Sequence, residues 1–206
     1  MAIEKTIEKT IFAGMSDAQK RTAFKEWLAD SGLFDSVELD GTTVKCYVGE
    51  RLVYEFWKTA SYHVAHLKNG YEWDMGDFGI SQLSYGVKTS KGIYIQAQQT
   101  YKMHIFITKS NNGDIVVLRN YHELEVNVPD LEKSPAYVSG TYTWNVPGSC
   151  FVKQEATSMA PISSYGTNTY PVGLYLIVFN QYPNEEAKII VDGKKYYSNG
   201  FIALEE

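Results

Sequence analysis

The groups with chemistry beyond packing include four histidines and two cysteines, and the first spacing to consider is His63 and His66 in YHVAHL. On a helix these imidazoles would share a face, but the same letters also alternate as a strand, which sends them to opposite sides. The H-E-x-x-H pattern of a zinc hydrolase is absent, so two surface or interface histidines and no metal are expected. In GYEWDMGDFG, residues 70–79, Glu72, Asp74 and Asp77 lie among glycines. Carboxylates on such a loop can hold Ca²⁺, but the D-x-D-x-D-G register is missing, and a solvated turn is the expected state.

Nucleophile motifs are missing too: there is no G-x-S-x-G, Walker loop or G-x-G-x-x-G. Cys150 shares the chain with His104 and His122, and folding could pair a thiol with an imidazole, yet any chain with these residues allows that. No enzymatic activity and no cofactor are expected. Cys46 and Cys150 have no metal-like spacing and are expected as free, buried small residues.

Binding has two candidate regions. Tyr71 and Trp73, with Phe78 nearby, could form an aromatic shelf for a sugar ring; core packing of a strand pair explains them equally well. The segment TSMAPISSYGTNTYP, 157–171, has the Ser, Gly, Asn and Tyr mixture of an adaptable recognition loop, with Tyr165 and Tyr170 as its anchors; it also reads as a long connector.

These groups need elements to position them. The 206 residues suffice for one large β domain or two small ones. A net charge of −5 and no cluster of Lys or Arg make nucleic acid and anionic membrane poor partners, since a phosphate backbone requires a concentrated cationic face. The longest apolar run, Leu174–Phe179, LYLIVF, is far below the ~20 residues of a spanning helix, so no membrane insertion is expected. The opening MAIEKTIEKTIF lacks the apolar stretch of an ordinary secretory signal.

Ser16 followed by Gln19 is a capping-box pattern, Phe24, Trp27 and Leu28 recur on one helical stripe, and Gly32 supplies a stop. One amphipathic helix is therefore expected at 17–30, packed on a sheet. The Ile/Thr-rich start favours an edge strand. Asp40-Gly41 marks a hairpin, RLVYEFW continues a meander, and strands are expected near 92–101, 103–109 and 114–121. YVSGTYTWNV alternates as a half-buried strand, LYLIVF reads as a strand buried on both faces, and two strands around Gly193 plus an Asn199-Gly200 turn close the chain. The fold class is mainly β: antiparallel, sandwich-like sheets with one N-terminal helix. The expected organisation is a β-rich lobe at 1–128, a connector PDLEKSPA at 129–136 and a second β lobe at 137–206, or one continuous domain. Phe201, Ile202 and Leu204, close to the terminal carboxylate, are candidate assembly contacts.

The ordered set of an early amphipathic helix, FDSVELDGTTVKCYVG, TKSNNGDIVVL and the closing DGKKYYSNGFIALEE resembles uncharacterised virion proteins of phages and prophages of gut Firmicutes. That resemblance implies a structural component of the tail, baseplate or fibre region, made in the bacterial cytoplasm and located on the virion. It also implies assembly with other virion proteins or as a homo-oligomer, a trimer first, and a host cell-wall glycan as a further partner. A carbohydrate-binding module, or a capsid decoration or head-fibre protein, is the alternative reading. The chain has no extended repetitive shaft, so within a fibre it would be a head or an adaptor.

Overall fold

The computed structural model describes residues 2–4, 8–66, 70, 72–98, 102–109, 115–120, 124–127, 136–138, 158–161, 174–178, 187–191, 193–198 and 202–206. Helix α1, Asp17–Ala29, starts where Ser16 predicts: the Ser16 Oγ accepts from the Gln19 N–H while the Gln19 side chain accepts from the Ser16 N–H at 3.0 Å. This reciprocal cap satisfies two donors that the first helical turn leaves without partners. The helix ends at Asp30, whose N–H still donates to Glu26, and Gly32 at φ +69 turns the chain away in a conformation that a Cβ would strain. Its buried stripe is Lys20, Phe24, Trp27 and Leu28, a spacing that keeps all four side chains on one face.

That face covers a five-stranded antiparallel meander: β3 (Ser36–Asp40), β4 (Thr43–Val48), β5 (Arg51–Thr59), β6 (Tyr62–His66) and β7 (Glu72–Asp77), in chain order. Asp40 pairs with Thr43, so the tight turn falls on Gly41-Thr42, with Gly41 at φ +60. In register across four strands, Val37, Cys46, Tyr54 and Ala65 form one buried row. Residues 72–77, expected as a solvated turn, are a strand instead. Their cross-strand pairing with Tyr62–His66 accounts for the difference, and the register slip between His63 and Val64 absorbs Met75.

The remaining strands are β1 (Ala2–Glu4), β2 (Thr10–Ile11), β8 (Leu83–Lys88), β9 (Gly92–Gln98), β10 (Lys102–Lys109), β11 (Ile115–Asn120), β12 (Leu124–Asn127), β13 (Ala136–Val138), β14 (Ser158–Pro161), β15 (Leu174–Val178), β16 (Ala187–Val191), β17 (Lys194–Ser198) and β18 (Ile202–Glu205). A seven-stranded sheet runs β13-β12-β11-β10-β9-β8-β2, and a six-stranded sheet runs β1-β16-β17-β18-β15-β14. All the pairings are antiparallel, the molecule is mainly β, and α1 is the single α-helix among the described residues. The N-terminal strands β1 and β2 lie at sheet edges, and β15 is internal to its sheet. Pairing reaches across the expected 129–136 connector twice, β1 with β16 and β12 with β13. Residues 139–146 and the Asn199-Gly200 turn lie outside the described residues.

Strand alternation gives the seven-stranded sheet two buried faces. Ile93, Ile95, Ile105 and Ile107 join the helix and the five-stranded sheet in one apolar core. On the other face Tyr94 meets Phe106 at 4.7 Å and Tyr197 of β17 at 4.9 Å, which ties in the six-stranded sheet. Trp27 lies so close to β8 that a Cβ on Gly86 would fall 2.4 Å from its ring.

One buried cation fastens the helix. Lys20 is 4% exposed, and its Nζ donates to the carbonyls of Ser81 at 2.8 Å and of Ile80 and Leu83 at 3.3 Å. All three ammonium protons are thus used on the short turn that leads into β8. Lys20→Met would keep the apolar stem but leave these carbonyls without their donor. The expected loss is ~2–4 kcal/mol, measurable as a lower urea midpoint; an unchanged midpoint would show that the ammonium fastens nothing.

Candidate functional site

The meander places four charged or titratable side chains together on the face opposite the Val37–Ala65 row. Glu55 stands mid-strand on β5, one residue out of phase with the core residues Tyr54 and Phe56; His66 pairs with Glu72 across β6 and β7. His66 Nε2 lies 2.8 Å from Glu55 Oε2, and His66 Nδ1 lies 3.7 Å from Glu72 Oε1. Lys58 reaches between the carboxylates, 2.5 Å from Glu72 Oε1 and 3.8 Å from Glu55 Oε2. The hydrogen bond from Lys58 holds the Glu72 carboxyl below its ordinary range, and in return the Glu72 carboxylate raises the Lys58 ammonium. Arg51 donates to the His66 carbonyl at 3.4 Å, pinning the end of β6. The Glu55 side chain is only 10% exposed, a burial that an ionised carboxylate tolerates only with cationic or hydrogen-bonding partners.

His63 goes elsewhere. It points to the other side of the sheet, as strand alternation predicts, but it is fully buried and so is not the surface or interface histidine expected from the sequence, because both ring nitrogens find backbone partners in the core. Its Nδ1 accepts from the Trp57 N–H at 3.1 Å, so its Nε2 carries the proton, donated to the Phe78 carbonyl at 3.0 Å. The ring stacks on Phe78 with centroids 4.0 Å apart. Burial pushes its pKa down to about 3, outweighing the opposing pull of the hydrogen bond to the Phe78 carbonyl and of the Asp77 charge. This imidazole serves the backbone: Trp57, at φ +54, is the only non-glycine residue with positive φ among the described residues. Its N–H is taken by His63 and its carbonyl accepts from Thr43 Oγ1 at 3.0 Å. Side chains thus supply the partners of a backbone conformation that is rare for so bulky a residue.

Of the other sequence-based candidates, Tyr71, Tyr165, Tyr170, Phe201, His122 and Cys150 lie outside the described residues. Trp73 and His104 have described backbones in β7 and β10, where Trp73 pairs with Ala65. Ile202 pairs with Leu176 along β18. Leu204, expected as an assembly contact, is fully buried within its own chain and stands opposite Tyr197, so its side chain serves intramolecular packing. Cys46 is free and buried, and burial pushes its thiol well up. The expectation for the carboxylates near residue 72 missed Glu55, whose signal was available: a lone acid inside the apolar run of RLVYEFW, with Lys58 three residues on.

Among the described residues, these features define an antiparallel β protein with a single packed helix and one mixed acid, base and imidazole cluster on the five-stranded sheet. Set beside known family models, curated proteins and solved structures, the chain matches none.

Proposed function

We propose that the chain is a bacteriophage virion structural protein of the tail, baseplate or fibre region that assembles with itself, as a trimer, or with other virion proteins. The observation that carries this reading is the condition of two sheet edges. Ile11, on the edge strand β2, is 52% exposed, and Leu39, on the edge strand β3, is 40% exposed. Edge strands offer unpaired backbone groups to other chains and are ordinarily blunted by charge or covered; a large apolar side chain on each suits association through edges. The resemblance of the sequence pattern to phage virion proteins is the second ground for this reading.

The test is mass spectrometry of purified particles together with light scattering on the isolated chain. The expected result is the protein on particles in a fixed copy number, and a trimer in solution. Its presence only in infected cells, never on particles, would overturn the proposal. Binding of a wall polysaccharide by a monomer absent from particles would point instead to a carbohydrate-binding module.

A further inference from the structure

The cluster on the five-stranded sheet has the composition and spacing of a metal site. We propose that Glu55, His66 and Glu72 bind a first-row divalent cation of the zinc class, which displaces the Lys58 ammonium from between the two carboxylates. The donor set is one imidazole and two carboxylates. Zinc and its neighbours take this mixture, whereas Ca²⁺ and Mg²⁺ prefer oxygen alone.

Geometry supports the choice. One ligand atom from each of the three residues lies within 4.8 Å of the others. Tetrahedral bonds of about 2.0–2.2 Å put donor atoms about 3.4 Å apart; His66 Nε2, 2.8 Å from Glu55 Oε2, is close to that separation already, whereas Glu72 Oε1 stands 3.7 Å from the other ring nitrogen, Nδ1, so Glu72 is the donor that must move to share an ion with Nε2. The donors sit on three adjacent, hydrogen-bonded strands, β5, β6 and β7, so their backbones are held while side chains need only small adjustments. Glu55 is the buried anchor, and Glu72, 40% exposed, has room to turn inward.

Lys58 is the second, independent pointer. Its ammonium already stands between the carboxylates as a monovalent cation, touching Glu72 and approaching Glu55. Two carboxylates exceed its charge by one, and a divalent ion would balance them. Lys58 has a flexible stem with a side chain 33% exposed, so it can swing into water when the ion enters. The other charged neighbours are otherwise engaged: Lys45 pairs with Asp40 at 2.7 Å, and Asp74 accepts from the Gly76 N–H at 2.7 Å. Bound metal would cross-link three strands, a structural role independent of where the protein acts.

The experiment uses the full chain, stripped with a chelator and titrated with zinc chloride by calorimetry, with thermal melting and the absorption spectrum of the Co²⁺ form as parallel readouts. One equivalent should bind and raise the melting temperature, while Mg²⁺ and Ca²⁺ should not. His66→Gln and Glu72→Gln are both partly exposed replacements and should weaken binding by about tenfold or more. Lys58→Met should strengthen it, because the competing ammonium is gone. The proposal is overturned if the wild-type chain binds no zinc, if binding survives both ligand variants, or if zinc binds only after Lys58 is removed. The last result would make the lysine the permanent cation of the cluster.

Discussion

Acidification from pH 6.5 toward pH 3 is expected to remove about 4–5 kcal/mol of stability through His63 alone, because its pKa falls from 6.5 to about 3 on folding. The sign follows from proton counts. Above 6.5 the imidazole is neutral in both states and contributes no pH dependence. Between 6.5 and about 3 the unfolded chain binds a proton that the folded chain refuses, so stability falls as pH falls, by up to ~1.4 kcal/mol per pH unit. Refusal has a structural cause: Nδ1 is occupied as the acceptor for Trp57, and a second proton there would place a charge in a fully buried site beside a lost hydrogen bond. Urea unfolding of the wild type and of His63→Gln between pH 6.5 and 5, above the main carboxylate range, isolates the effect. The wild type should lose ~2 kcal/mol more across that window than the variant. Equal slopes would show that His63 does not titrate differently in the two states. The variant itself should be less stable at neutral pH, since an amide cannot span both the Trp57 N–H and the Phe78 carbonyl with the same geometry.

Phe24→Ala is the second change with a large expected effect, a loss of about 3–5 kcal/mol. Phe24 is fully buried where helix and sheet meet, with ring centroids 5.0 Å from Phe56, 5.1 Å from Trp57, 5.7 Å from Phe12 and 5.8 Å from Trp27. Three of these contacts are edge-to-face, the arrangement that the ring quadrupole favours. Removing the ring leaves a void lined by large, stiff side chains that cannot close it. Chemical denaturation should show a lower midpoint. Phe24→Leu, which fills part of the void, should cost roughly 1–2 kcal/mol and keeps the experiment readable if the alanine variant does not fold. Met15→Ala, on a side chain 38% exposed, should stay within ~0.5 kcal/mol. Similar losses at both positions would mean that Phe24 is no special joint.

Much of the local structure was legible in the letters. The Ser16/Gln19 box and the Phe24, Trp27, Leu28 stripe place the helix to within one residue of its observed span, because capping and periodicity are short-range effects. The Asp40-Gly41 signal marks its hairpin, and the alternation in YHVAHL separates His63 from His66. The acidic stretch after Gly70 was less legible: its glycines suggest a turn, but the offer of β6 as a partner makes residues 72–77 a strand.

What the sequence determined by itself is therefore the helix with its inward stripe, the early hairpin and the mainly β class, since these depend on neighbours within a few positions. Only the tertiary structure decided which residues meet. Glu55, Lys58, His66 and Glu72 converge because three strands pair with irregular register, slipping between Glu55 and Thr59 and between His63 and Val64. A one-residue slip turns a side chain to the opposite face, so no spacing rule along the chain could have joined them. The same holds for Lys20, whose three acceptors lie some sixty residues away, and for β1, which pairs with β16 near the far end of the chain. Such contacts form only when the whole core closes, and the free energy that selects them is shared across that core, beyond the reach of any one segment.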